Sequence, residues 1–369
     1  MPGEGLLLKP PLTRLAPPAL GTLSPLRGAR VTELAATPRT LDKLVLGYAR
    51  RRCYHSHREA DMKAIFIDCN DQLDQVFARV HRTDDPPITV NTRPVPAADL
   101  PRLIDGYAIC LDDHSYMPTD VVAQCRTLKH IVFLGTGAGS YMDVPALKEL
   151  GVNVHTIKGY GDTAVAEHAI ALMFAGAREL ARMDRGIRGG SWGPREGVQL
   201  LGKTLGVVGL GGIGTEVARI ARGIGMEVIA YNRTPRPEAG VTQVDLDTLL
   251  ARSDVISLNL ALNEETRGII DAARIARMKH GVIIINTARG ALVDEPALIR
   301  GLANGQIGHA GLDVFHAEPL GRDHALARLD NVTLSSHAAF RTLEASMTLI
   351  RRAIDIVRTI AGMPSPAAR

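Results

Sequence analysis

The chain has 369 residues, of which 46% are hydrophobic and 22% charged, a balance typical of globular proteins. This length suits two domains, and the composition excludes a collagen-like chain or a coiled coil. No apolar run approaches the 18 residues of a membrane-spanning helix, so no membrane partner is expected. The four cysteines lack a Cys-x-x-Cys spacing, which favours a cytoplasmic protein without a metal site.

The positive charge is concentrated at the amino end. The formal net charge is +4, yet the first 61 residues alone carry ten basic and five acidic side chains. The rest of the chain is therefore close to neutral, and nothing in it favours nucleic-acid binding.

Residues 1–61 are predicted to be an extension outside the fold, because they are rich in proline and show no sustained apolar period. Three interpretations stay open: a disordered extension, a true start at Met62, and a transit peptide. The first two are favoured together, because a strand pattern begins directly after Met62.

From Met62 onward, short apolar segments alternate with helical patterns. This alternation predicts α/β organisation with a largely parallel sheet. The strands predicted in this first part are Lys63–Asp68, Tyr107–Leu111, His130–Leu134 and Asn153–Ile157, with a helix over Val144–Leu150.

A long helix is predicted over Thr163–Arg185, and a second α/β series follows it. Six regularly spaced strands separated by helices predict a doubly wound sheet. These strands are Thr204–Gly209, Glu227–Asn232, Val255–Leu260, Val282–Thr287, His309–Val314 and Val332–Ser335. A last helix over Leu343–Ile360 follows the series, so we expect it to pack back on the first part. The predicted domain boundaries place the first part of the substrate-binding domain at 62–162, the dinucleotide-binding domain at 163–342, and the returning C-terminal helix at 343–369.

A glycine-rich segment, Gly209–Gly214, lies between the first strand of the second series and a helix predicted over Gly212–Gly223. This context is typical of a dinucleotide-binding turn. Gly209 would allow the tight turn, Gly211 the approach of the diphosphate, and Gly214 close packing of helix on strand. The backbone at Gly212 and Ile213 opens the helix, whose free N–H groups would bind the diphosphate.

The next strand ends in Asn232, Arg233 and Thr234, with Arg236 close by. NAD enzymes usually carry an acidic residue here for the ribose hydroxyls. Its replacement by Asn232, beside arginines that can bind a phosphate, favours NADP over NAD. The alternative is that Asn232 binds the ribose of NAD and that Arg233 is only a surface residue.

Polar side chains follow the last three predicted strands. Arg289, Glu318 and His337 stand in these segments, and the carboxyl ends of strands in a doubly wound sheet meet at the ligand crevice. We therefore expect these three side chains to converge.

At these residues the chain resembles the D-isomer-specific 2-hydroxyacid dehydrogenases, which include glyoxylate and hydroxypyruvate reductases and phosphoglycerate dehydrogenases. The resemblance covers about Met62 to Ile360. It implies a Rossmann cofactor domain inserted into a discontinuous, flavodoxin-like substrate domain, and it suggests a homodimer.

The resemblance also assigns roles. Arg289 would bind the substrate carboxylate, His337 would act as the acid/base, and Glu318 would pair with it. The backbone of Gly137, Ala138 and Gly139 would hold the same carboxylate. Thr287 and Asp313 would contact the cofactor, Asp313 at the nicotinamide carboxamide.

Elementary chemistry supports such an arrangement. A guanidinium binds a carboxylate through two parallel contacts, and an imidazolium neutralises the charge that develops on the oxygen of a reduced 2-oxo group. The first hypothesis is hydride transfer between NAD(P)H and a 2-oxo acid or D-2-hydroxy acid, with glyoxylate and hydroxypyruvate as first candidates and 3-phosphoglycerate as a second. The alternative is a dinucleotide-sensing binding protein, because the segment His337–Phe340 resembles that of the C-terminal-binding-protein corepressors.

Overall fold

The structure is a computed structural model that describes residues 62–237 and 241–364. The extension predicted over residues 1–61 lies outside the described residues. Two parallel sheets, each covered by helices, confirm the predicted fold class.

The first sheet has five parallel strands in the order β2-β1-β3-β4-β5. The chain runs outward from β1 in both directions, which is the flavodoxin-like order. The strands are β1 (Ala64–Phe66), β2 (Ile88–Val90), β3 (Ile109–Asp112), β4 (His130–Phe133) and β5 (Asn153–Thr156).

The second sheet has seven parallel strands in the order β12-β11-β10-β9-β6-β7-β8. The strand order reverses between β6 and β9, which places a ligand crevice beyond the carboxyl ends of these two strands. The strands are β6 (Thr204–Val208), β7 (Glu227–Tyr231), β8 (Thr242–Gln243), β9 (Val255–Leu258), β10 (Val282–Asn286), β11 (Ile307–Leu312) and β12 (Val332–Leu334).

Twelve α-helices connect and cover these strands within the described ranges. They are α1 (Asp71–Val80), α2 (Leu100–Ile104), α3 (Thr119–Val122), α4 (Val144–Glu149), α5 (Asp162–Ala177), α6 (Leu180–Arg188), α7 (Gly212–Gly223), α8 (Leu246–Arg252), α9 (Ala272–Arg277), α10 (Glu295–Ala303), α11 (Ala325–Arg328) and α12 (Leu343–Ile360). None of the described helices is long and apolar enough to cross a membrane.

The single helix predicted over Thr163–Arg185 is wrong. The chain forms two helices, α5 and α6, which are separated at Glu179, where the backbone takes a left-handed conformation with φ 54°. The apolar period continues through this break, so the sequence pattern alone could not locate it.

The last helix, α12, packs against α1 and the five-stranded sheet. Leu349, Ile350, Ile354 and Val357 are buried in one cluster with side chains of that sheet. The helix begins where the N–H of Ala345 donates to the Thr342 hydroxyl at 3.1 Å, a side-chain cap of its first turn. The chain therefore passes between the two sheets twice, before α5 and again before α12.

Candidate active site

The glycine turn after β6 needs glycine at two positions for measurable reasons. Gly209 has φ 101°, and a Cβ there would lie 2.8 Å from the Asn259 carbonyl oxygen. A Cβ at Gly214 would lie 1.9 Å from the Gly209 carbonyl oxygen, because α7 packs directly on the end of β6. A side chain at either position would force the helix away from the strand.

The exposed side of this turn fits a dinucleotide. A Cβ at Gly211 would meet no atom within 4 Å, so the backbone there is open to close approach. The residues after it, Gly212 and Ile213, are the first of α7, whose N–H groups have no partner inside the helix. Such a helix end binds a diphosphate through its N–H groups and its partial positive charge.

The end of β7 supports the same turn. The Asn232 amide oxygen accepts from the N–H of Leu210 at 3.0 Å, and its amide nitrogen donates to the Thr234 carbonyl at 2.6 Å. Arg233 is exposed and pairs with Glu265, and Arg236 donates to the Leu210 carbonyl at 3.1 Å. Two guanidinium groups therefore lie beside the place where a dinucleotide on such a turn has its adenosine ribose.

Arg289 follows β10, and Asn286 shapes its turn. The Asn286 side chain donates to the Arg289 carbonyl at 2.9 Å and accepts from the N–H of Ala288 at 3.0 Å. The next residue, Gly290, approaches the backbone of Phe315 so closely that a Cβ would lie 2.1 Å from its carbonyl carbon. These contacts fix the backbone of the turn, and the guanidinium itself donates from Nη1 to the Ala288 carbonyl at 2.7 Å.

The Arg289 guanidinium reaches the loop that follows β4 of the other sheet. A Cβ at Gly137 would lie 2.5 Å from Arg289 Nη2. The residues Ala138–Ser140 form a short 3-10 turn directly after it. The structure thus brings together the arginine and the glycine loop to which the family resemblance assigns the substrate carboxylate.

Glu318 and His337 lie in contact. His337 Nδ1 is 2.7 Å from Glu318 Oε2, while Glu318 Oε1 accepts from the N–H of Phe315 at 2.9 Å. Both side chains are about one-third exposed, at 34% each. A backbone hydrogen bond therefore anchors the carboxylate, and the carboxylate orients the imidazole.

Asp313 holds the turn that carries His337. Its carboxylate is fully buried and accepts from the Ser335 hydroxyl at 2.6 Å, the N–H of Ala338 at 3.0 Å and the N–H of Ala339 at 2.9 Å. His337 itself has φ 52°, a left-handed backbone that a residue with a side chain adopts only when its surroundings hold it. Thr287, at the end of β10, is also buried.

Two residues of this region escaped the sequence analysis as site residues. His168 of α5 lies 2.8 Å from the Ser335 hydroxyl and so extends the Asp313 network. His114, after β3, stacks on Phe340 with ring centroids 6.1 Å apart, and Phe340 meets the His337 ring edge-on at 6.4 Å. Both contacts join residues far apart in sequence, so no local pattern could have found them.

The loop of His114 is held by the Asp68 carboxylate. Asp68 accepts from the N–H groups of Asp113, His114 and Ser115 at 2.9 to 3.0 Å. Burial, and next the charge of Asp68, raise the pKa of Asp112 well above its usual range. The Asp112 carboxyl is therefore protonated more readily than an exposed aspartate.

Two tyrosines contribute neutral hydroxyl groups near Arg289. Burial and Asp113 raise the pKa of Tyr160 to about 12, although the Arg289 charge opposes the rise. Burial likewise raises the pKa of Tyr141, again against Arg289. Both phenols stay protonated at neutral pH and can donate hydrogen bonds.

A doubly wound sheet with a glycine turn at its switch point, facing a second parallel sheet, defines a two-part dinucleotide-binding α/β protein. The family described as "D-isomer specific 2-hydroxyacid dehydrogenase, NAD binding domain" matches residues 170–339. A hydroxypyruvate reductase of Thermotoga maritima is 43% identical over 246 residues, which cover 65% of this chain and 79% of that protein. The chain belongs to the D-isomer-specific 2-hydroxyacid dehydrogenase family.

Other similarities agree. A D-3-phosphoglycerate dehydrogenase of Archaeoglobus fulgidus is 38% identical over 264 residues, 70% of this chain, although the match spans only half (50%) of that protein's length. The apo structure of D-lactate dehydrogenase from Escherichia coli superposes with a TM-score of 0.72 at 30% identity, covering 82% of this chain and 98% of that one.

Family membership confirms the predicted reaction class, an NAD(P)-dependent oxidoreductase that transfers a hydride between the cofactor and a 2-oxo or D-2-hydroxy acid. The corepressor-like alternative is not supported, because the matching relatives are named as reductases and dehydrogenases.

Proposed function

We propose that this protein reduces small 2-oxo acids, with glyoxylate and hydroxypyruvate as the first candidates, and that NADPH is its preferred cofactor. The observation that carries the proposal is the convergence of Arg289, from one sheet, on the Gly137 loop of the other, where the charges of both Arg289 and Glu318 act on Tyr141. Relatives named hydroxypyruvate reductase and glyoxylate reductase support the choice of substrate.

Each residue has a distinct task in this proposal. Arg289 binds the substrate carboxylate through two parallel hydrogen bonds, together with backbone N–H groups of Gly137, Ala138 and Gly139. His337 donates a proton to the 2-oxo oxygen from Nε2, because its Nδ1 is bound to Glu318. Asp313 holds the turn of His337. The family resemblance also gives it the task of orienting the nicotinamide carboxamide.

The cofactor would lie on the glycine turn of Gly209, Gly211 and Gly214, with Gly212 and Ile213 at the diphosphate. When bound, its reduced nicotinamide supplies the hydride for C2 of the substrate. Thr287 would contact it at the end of β10. The protein contributes the binding energy, the orientation of the two reactants and the exclusion of water.

The preference for NADPH rests on Asn232, Arg233 and Arg236. Asn232 carries no charge to repel a 2′-phosphate, and both arginines are exposed beside the turn. The partner of Arg233, Glu265, is itself exposed, so a phosphate can replace it at little cost.

We further propose that the protein is a cytoplasmic homodimer. Helices α5 and α6 and the segment 189–203 present large apolar side chains to solvent, with Trp192 87% exposed. Exposed apolar side chains concentrated on neighbouring segments are typical of an interface. The exposed side chains here are Phe174, Leu180, Ile187, Trp192, Val198 and Leu201. Light scattering should give twice the chain mass, and an Ile187→Glu variant should lower it to that of one chain.

The test of the activity is a steady-state panel of eight or so 2-oxo acids with NADH and NADPH. We expect turnover with at least glyoxylate or hydroxypyruvate and a higher kcat/KM with NADPH. A tenfold preference for NADH would refute the cofactor choice. Tight dinucleotide binding without turnover of any acid would refute the substrate class.

A further inference from the structure

The glycine turn contains one glycine more than a dinucleotide requires. The dinucleotide-binding pattern needs Gly209, Gly211 and Gly214, and it places no demand on position 212. A Cβ at Gly212, however, would lie 1.8 Å from Asp162 Oδ2 and 2.6 Å from its Cγ. The fourth glycine therefore makes room for the Asp162 carboxylate.

Asp162 belongs to the connection between the two sheets. It is the first residue of α5, six residues after the end of β5, and its side chain lies against the first residue of α7. The same Oδ2 lies 3.6 Å from a Cβ position at Gly159, which is also 3.6 Å from Arg352 Nη1 of α12. The carboxylate thus lies between the glycine turn and the last helix.

Three influences act on the Asp162 carboxyl between α7 and α12: burial, one guanidinium and one other carboxylate. Burial raises the pKa of Asp162 above its usual range, the Arg352 guanidinium opposes the rise, and the Glu216 carboxylate on α7 adds to it. Tyr160 faces the same group and stays neutral. The carboxylate thus lies beside the first residue of α7, at the end of a helix where anions bind.

We propose that Asp162 sets the affinity of this protein for its dinucleotide by competing with the diphosphate for the amino end of α7. Two anions at one helix end repel each other, and both are attracted by the same partial positive charge. This inference rests on the proposed cofactor site.

The effect depends on pH. Protonation of Asp162 removes its charge, and the raised pKa of this group moves the protonation to a higher pH than for an exposed aspartate. The affinity of the wild-type protein for the dinucleotide should therefore rise as the pH falls. The variant Asp162→Asn should show no such contribution. The neighbouring groups Glu216 and Arg352 remain in both proteins, so the difference between the two pH profiles belongs to position 162.

Isothermal titration calorimetry with NADP⁺ and NAD⁺, without substrate, tests the proposal. At pH 7.5 we expect Asp162→Asn to lower the Kd about fivefold relative to wild type. The matched control is Glu167→Gln, an exposed residue of the same helix that loses the same charge. An unchanged or higher Kd in Asp162→Asn, or an equal decrease in Glu167→Gln, would overturn the inference. Absence of dinucleotide binding by the wild-type protein would instead refute the proposed cofactor site.

A steric test needs no cofactor. Gly212→Ala should lower the Tm in the wild-type background, because its methyl group would overlap the carboxylate. The same substitution in an Asp162→Ala background should cost at least about 3 °C less. Additive effects of the two substitutions would show that Asp162 does not contact position 212.

Discussion

Replacing Gly137 with alanine should disable the protein without unfolding it. The new methyl carbon would lie 2.5 Å from Arg289 Nη2, whereas carbon and nitrogen atoms in ordinary contact stay about 3.5 Å apart. The guanidinium must therefore move by about 1 Å. Gly137 has φ −100°, a backbone angle that alanine also adopts, so the substitution should not strain the backbone.

The loss can be estimated from that displacement. A misplacement of about 1 Å at a group that positions the substrate costs about 10²-fold in rate. We expect kcat/KM of Gly137→Ala to fall by about this factor, mainly through KM for the 2-oxo acid. The Kd of the dinucleotide should change little, because the loop belongs to the five-stranded sheet.

Two other glycines serve as comparisons. Gly139→Ala, in the same loop, adds its methyl group where no atom lies within 4 Å, so its loss should be at least tenfold smaller. Gly223→Ala adds one to open space at the end of α7, far from the loop, and should match wild type. Wild-type kcat/KM in Gly137→Ala, or equal losses in both loop variants, would refute the placement of Arg289.

Three further predictions concern the acid/base pair and the packing of α12. His337→Ala should lower kcat by about 10²–10⁴-fold with little change in the Kd of the dinucleotide, as stopped-flow and titration would measure. Glu318→Gln should lower kcat with little change in the Kd of the dinucleotide, because the carboxylate that orients the His337 ring through Nδ1 is lost; an unchanged kcat would reject the pairing. Burial alone would raise the pKa of Asp85, but hydrogen bonds from Arg351, Arg82 and Arg358 hold it well below its usual range. Asp85→Asn should therefore lower the free energy of unfolding by about 3–5 kcal/mol at pH 7 in urea titrations. That difference should shrink as the pH falls below about 4, since a lowered pKa stabilises only where the carboxyl is ionised.

Elements with a complete local pattern could be predicted from the sequence. The bounds of Gly212–Gly223 and Leu343–Ile360 agree with the structure, because each helix combines an apolar stripe with a clear start. The strands Ile88–Val90 and Thr242–Gln243 were missed, since three and two residues are too few to show a period. Their positions are set by pairing with β1 and β7.

The candidate site likewise contains residues that could be predicted from the sequence and residues that could not. The contact between Glu318 and His337 could be predicted, because both residues follow strands whose carboxyl ends meet in space. His114 and Asp162 could not, because their contacts depend on how the two sheets face each other.

The two passages of the chain between the sheets lie side by side. A Cβ at Gly161, on the first passage, would lie 3.6 Å from the Cβ of Phe340 and 3.8 Å from that of Ala345, on the second. The segment 162–342 therefore leaves the domain of the five-stranded sheet and returns to it at nearly the same point, which is the geometry of an inserted domain. Exchanging residues 162–342 for the matching segment of a relative should preserve the backbone geometry at both junctions. Such chimaeras could therefore combine the nucleotide preference of one protein with the acid specificity of another.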